Sequence, residues 1–210
     1  MRTPDRILDA ALASFATRGY EVASLDAIAA ELGLTKQAIL YWFPSKEVLL
    51  EAVVARSADE LADALEGALA RAGQGWERVE AVVRAVFGLA VRRPHLLGLL
   101  REVTRPGSPA TATLAQRMAP LVDRAREFLD AEMAAGAIRR HDTSVVLLSA
   151  YSAVVGTATE VEVMRALGVE PTLRSASRRR RELLALLRSA LVPEARAADG
   201  NGVQDAVPAG

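Results

Sequence analysis

Cysteine is missing from all 210 residues, which excludes disulfides and thiolate-held metals. Histidine occurs only at His95 and His141, and two isolated imidazoles make neither a metal site nor an acid–base pair, so no metal and no cofactor are expected. Neither sign of charge dominates: 26 basic residues face 26 acidic ones. Bulk electrostatics therefore announces no nucleic-acid partner, and any such affinity must come from local placement. Long apolar runs are lacking too. The N-terminus, MRTPDRILDAAL, brings acids in early, so neither a signal peptide nor a membrane span is expected and the chain reads as cytoplasmic, with no membrane partner. Alternating β-type runs, a nucleophile elbow, a phosphate loop and a dinucleotide fingerprint are absent as well. An enzyme is not expected.

What the chain does contain is apolar residues, 51% of the total, ample for a core, with Pro and Gly at intervals of helical length. The expected fold is all-α, about nine helices. Its organising stretch is Ser24 to Phe43, SLDAIAAELGLTKQAILYWF. Ser24 caps a helix with Leu25, Ile28, Ala29 and Leu32 at helical spacing, and Gly33 ends it. Thr35 caps a second, with Ala38, Ile39 and Phe43 inward and Lys36, Gln37, Leu40 and Tyr41 outward. Two short helices about a Gly-containing turn are the sequence form of a helix-turn-helix, whose second helix enters the major groove. Ahead of it, Thr3 as cap and Pro4 open a helix bearing Ile7, Leu8, Ala11, Leu12 and Phe15, closed by Gly19. These three helices make a DNA-binding head over residues 1–46. Through Arg56 the chain carries six bases against seven acids, a net charge of −1, so the head is not basic overall.

A body over residues 47–192 follows. Ser45 caps a long connecting helix reaching about Arg71, a fifth helix runs from Trp76 to about Val91, and Pro94 starts a sixth. Ser108 and Pro109 are expected to cap and open a seventh that ends near Ala135. Asp142 caps an eighth, continuous to Gly168 and apolar nearly all round in its first half, which requires burial on several sides. The last helix begins at Leu173 or Ser177 and ends at Leu191. Residues 193–210 are small, polar and patternless, the composition of a disordered tail.

The stretch ILDAALASFATRGYEVASLDAIAAELGLTKQAILYWFPSKEVLLEAV, Ile7 to Val53, resembles the head of the TetR family of transcriptional regulators. Phe43, Pro44, Ser45, Lys46 and Glu47 follow the helix-turn-helix at the distance that family shows. The resemblance covers about a quarter of the chain and implies a homodimer that binds a palindromic operator on double-stranded DNA as a repressor and is released by a small-molecule effector. In relatives the position of Leu40 is commonly a Tyr that touches backbone phosphate, and Tyr41 and Trp42 stand next to it to take over. Phosphate contacts position such a head, and base-edge contacts specify the sequence. Ser24, Thr35 and Lys46 sit at helix starts, where free amides and the helix dipole favour a phosphate oxygen. Lys36 and Gln37 on the leading turn suit guanine and adenine edges respectively.

For the body, an apolar pocket for a largely apolar effector is expected among Trp76, Phe87, Leu97, Leu100, Met118, Leu121, Phe128 and Tyr151, with His95, Arg101, Thr157 and Glu160 as orienting polar groups. Each of these apolar residues also fits plain core. A dimer interface is expected from the last two helices, through Val154, Ala158, Val161, Leu183, Leu184, Leu187 and Leu191, forming a four-helix bundle between subunits. The run Arg178 to Arg181 reads as a solvated helix face, with Glu160 and Glu162 as ion-pair partners. The alternative is a helical small-molecule-binding protein with a degenerate DNA-binding head.

Overall fold

Side-chain caps set where several helices begin. Ser24, Thr35 and Ser45 accept from the backbone N–H of Ala27, Ala38 and Val48, each at 3.2 Å, and Asp142 accepts from Val145 at 3.0 Å. Thr172 and Ser175 close a reciprocal box at the start of the last helix. The structure, a computed structural model, describes residues 2–104 and 107–193. Among the described residues the regular structure is all helix, without a strand: α1 Thr3–Arg18, α2 Leu25–Leu32, α3 Lys36–Trp42, α4 Lys46–Leu69, α5 Trp76–Arg92, α6 Pro94–Val103, α7 Thr111–Ala134, α8 Thr143–Thr159, α9 Val161–Ala166 and α10 Leu173–Leu191. The expected tail lies, from residue 194 on, outside the described residues.

Three boundaries differ from expectation. Thr3 lies inside α1, whose cap position is Arg2 without a side-chain bond. Ala110 precedes α7, while Pro109 stays in the turn before it. The expected eighth helix is broken at Glu160 into α8 and α9, and neither Pro nor Gly occupies the break. There the backbone leaves the helical region and the Glu160 carboxylate takes a hydrogen bond from Arg101 of α6. A tertiary partner accompanies this break, and periodicity does not report such partners.

The head and the body share one apolar cluster. Ile7, Phe15, Ile28, Ile39, Leu49, Leu50 and Val53 are essentially inaccessible, each worth about 1.5–3 kcal/mol of burial. The same cluster continues through Val83, Phe87, Leu96 and Leu99 into the body. A second, smaller cluster joins Leu129, Met133, Ile138, Val146 and Leu191. α6 sits at the junction, packing against α1 and also against α4, α5, α7 and α8. Arg56 of α4 braces α1 directly, donating to the Asp9 carboxylate at 2.7 Å and to the Asp5 carbonyl at 3.4 Å.

Candidate nucleic-acid interface and clefts of the body

Gly33, at φ +67°, adopts the left-handed conformation that ends α2, and its N–H returns to the carbonyls of Ala29 and Ala30. That turn sets α3 across α2. Ile39 is fully buried and Phe43 nearly so. Anchored by them, α3 leaves Lys36, Gln37 and Tyr41 on the solvent side, with Tyr41 79% and Trp42 47% exposed. The two rings meet edge to face at 5.3 Å. Leu40 departs from expectation: it is half-buried and packs against the apolar cluster, so it is part of the head's support and not of its outer face.

The cations of this surface are already engaged. Lys36 Nζ lies 3.0 Å from Asp26 Oδ2, the first-turn acid of α2. Lys46 donates to the Glu21 carbonyl at 3.2 Å and stands 4.3 Å above the Tyr20 ring. Tyr20 donates to Glu47 Oε1 at 2.8 Å. Burial first, then that hydrogen bond and the charges of Glu47 and Glu21, push the Tyr20 hydroxyl up to about 12. The Glu47 carboxyl is held below its ordinary range by its own backbone amide first, then by the Tyr20 hydroxyl and Ser45. Sequence reasoning gave Tyr20 and Asp26 no role and used Glu47 only as part of the family's run after the helix-turn-helix. The acid-rich count of the head was the available signal, since six bases among seven acids leave few cations unpaired.

In the body most of the residues expected to wall a pocket are spread over two apolar clusters. Phe87, Leu97 and Leu100 are buried in the main cluster and Met118 packs against it. Trp76 and Phe128 lie against the second cluster. Tyr151 and His95 are exposed, Leu121 and Thr157 are half-buried, and Arg101 is paired with Glu160. None of these residues lines either of two clefts. One cleft, of about 380 Å³, lies where the end of α1 and Tyr20 meet Leu99, Val103 and Pro109. The other, of about 660 Å³, runs between α4 and α5 over Ala64, Ala68, Ala72, Ala81 and Ala85, with Arg71, Arg84 and Arg92 on it. Large apolar residues pack in the interior, and the larger of these two clefts lies where side chains are small.

The residues expected at the dimer face are engaged within the chain. Val154, Leu183 and Leu191 are buried within the chain, Ala158, Leu184 and Leu187 pack on its main cluster, and Val161 is half-buried. The large apolar residues that α8 and α10 leave open are Val145, Leu148, Tyr151 and Leu186, together with Leu173 at the start of α10. A helix apolar on both faces does not reveal which face its own subunit uses. Of the arginine run, Arg178 and Arg181 are exposed as expected, but Arg179 turns inward to Met164 and Ser175, and burial lowers its pKa. Glu160 pairs with Arg101 and Glu162 with Arg165, so neither of these carboxylates is the partner expected for that run.

Residues 7–53 match the family model of bacterial regulatory proteins of the tetR family. A comparison with curated proteins finds no match. Among solved structures, the chain is similar to the transcriptional regulator FadR of Bacillus subtilis in complex with stearoyl-CoA, with a TM-score of 0.73, 18% identity, and 89% of this chain and 98% of that one covered. It is similar to the ketosteroid transcriptional regulator KstR2 of Mycobacterium tuberculosis at a TM-score of 0.72 and 16% identity, covering 92% and 96%. A transcriptional regulator of the TetR/AcrR family from Thermobifida fusca YX-ER1 aligns at a TM-score of 0.64 and 24% identity, covering 88% and 95%. The likeness thus extends over head and body alike.

Proposed function

We propose, from the premise that this chain carries the DNA-binding head of the bacterial tetR regulators on a body folded like theirs, that it is a homodimeric, ligand-responsive repressor of transcription. The observation that supports this most is α3: buried at Ile39 and open at Lys36, Gln37 and Tyr41, it offers a reading edge on a rigid support. Lys36 and Gln37 face base edges, and the remaining amides at the start of α4, with Lys46, hold a phosphate. Thr35 and Ser24 present their helix starts to the same backbone, and Tyr41 with Trp42 lies along it.

Two heads are needed because one is weakly charged. A pair of chains joined through Val145, Leu148, Tyr151 and Leu186 places two reading helices one DNA turn apart, on a palindromic operator. Effector binding in the body releases DNA only if the effector prefers the arrangement in which the heads are wrongly spaced. α6 offers a route for that signal, since it packs on α1 and is tied through Arg101 to the break between α8 and α9. The solved FadR carries stearoyl-CoA, which makes acyl-bearing anions a sensible first set of effectors to try.

Gel shift against the DNA flanking its own coding region is the direct test. A specific shift that Lys36→Ala with Tyr41→Ala abolishes supports the reading. A shift indifferent to both substitutions, or none at all, removes it and leaves a helical small-molecule binder, to which the pinned Lys36 and Lys46 already lend weight. Salt separates the two, because specific DNA binding weakens steeply as salt rises and binding in an apolar site does not.

A further inference from the structure

The cleft between α4 and α5 has a chemistry that the regulator reading does not use. It measures about 660 Å³, and five alanines, Ala64, Ala68, Ala72, Ala81 and Ala85, form much of its lining. From Glu77 to Arg92 it follows α5 for roughly 20 Å, by the rise of an α-helix. Three guanidiniums and two carboxylates complete the lining. Both carboxylates are spent locally: Glu77 accepts from the Gly73 N–H at 3.1 Å, and Glu80 accepts from Trp76 Nε1 at 2.9 Å and from Arg84. Arg71 and Arg92 have no carboxylate partner among the described residues. Each lies back over a glycine one turn earlier. A Cβ on Gly88 would stand 3.0 Å from Arg92 Nη1, and one on Gly67 would stand 3.5 Å from Arg71 Nη1. The glycines therefore leave room for two unpaired cations to lie close to the helix surface beside an apolar floor.

We propose that this cleft binds an elongated amphipathic organic anion, its apolar body on the alanine methyls and its carboxylate or phosphate group on Arg71 or Arg92. Desolvated alanine surface takes the hydrocarbon, and planar guanidiniums suit a two-oxygen anion. Such a ligand spans the last turns of α4 and the length of α5. On its other side α4 is tethered to α7 through Asp59–Arg117 at 3.0 Å and Glu66–Arg124. Spreading α5 from α4 therefore tilts the helix whose first turn carries Lys46. This consequence rests on the regulator reading; the binding itself does not.

Calorimetric titration of the full chain with octanoate, octyl phosphate and octanol tests the binding without DNA. The two anions bind about tenfold more tightly than octanol, the worth of one charge-assisted contact. Arg71→Gln with Arg92→Gln removes that preference. Gly88→Ala weakens the anions while leaving thermal stability equal or higher, since alanine favours helix over glycine and only a flexible side-chain end must move. Equal affinity for octanol and octanoate, or a preference that survives the double substitution, overturns the proposal. A gel shift with and without octanoate reads the regulatory consequence separately: a shift that octanoate leaves unchanged ends the coupling to DNA, while no shift in either arm tells against the regulator reading alone.

Discussion

Asp26 restrains Lys36, the residue on which the proposed base reading depends. Lys36 is the sole cation of α3, and its ammonium is held 3.0 Å from the Asp26 carboxylate with both groups substantially exposed. A phosphate or guanine edge must compete with that carboxylate, and Asp26 itself repels the duplex. Asp26→Asn is expected to raise affinity for any duplex at low salt and to steepen the log–log salt slope by about one. Because an exposed pair contributes at most about 1 kcal/mol, the unfolding curve hardly moves. Fluorescence anisotropy with specific and random duplexes at several salt concentrations checks this, and an unchanged slope counts against Lys36 as a contact. Tyr20 carries a second expectation. With its hydroxyl pushed up to about 12, the folded head favours the protonated form, so the associated stability is complete below pH 10 and is lost as pH rises from 10 towards 12. Glu47, shifted the opposite way, contributes above its ordinary carboxylate range and loses that contribution as pH falls through it. Urea melts between pH 9 and 12 should show a fall that Tyr20→Phe flattens; parallel curves would mean that Tyr20 does not couple.

At the scale of helices, the reading unit depends on a turn and one buried side chain. Gly33→Ala places a Cβ in the left-handed region, at a cost of about 1–2 kcal/mol. Ile39→Ala empties a fully buried site and costs about 2–5 kcal/mol. Denaturant titration measures both, and a loss below 0.5 kcal/mol at Ile39 would contradict its anchoring role. The helices and most of their caps were legible in the sequence because they obey local rules: hydroxyls at Ser24, Thr35 and Ser45, glycine at Gly33, periodic apolar residues between. What escaped was set by partners far away in the chain. The break at Glu160 comes with Arg101, the restraint on Lys36 comes from Asp26, and Leu40 is half-buried against the cluster, although its spacing on α3 alone suggested the outer side. The eight apolar residues named as pocket walls are the kind that fill cores, and the cleft lies at alanines that no hydrophobic pattern distinguishes from ordinary helix surface.

For the whole molecule, head and body form one apolar continuum through α4 and α6, so a change in the body has a packed path to α1. Association is the remaining requirement. Val145, Leu148, Tyr151 and Leu186 stand 49–65% exposed on α8 and α10, an area of the kind that a partner covers. Leu148→Glu with Leu186→Glu is expected to convert a dimer to a folded monomer in sedimentation, since neither side chain supports its own subunit, and to weaken operator binding by about 10²-fold or more as the second head is lost. Val154 and Leu183, buried within the chain, should instead destabilise folding when changed to Ala. The central claim, that two copies of α3 read one site together, is tested most directly by selecting duplexes from a random pool with the purified protein and sequencing those retained. The account predicts an inverted repeat whose half-sites lie about 10 base pairs apart, centre to centre. No enrichment, or enrichment of a single unrepeated half-site, would contradict it.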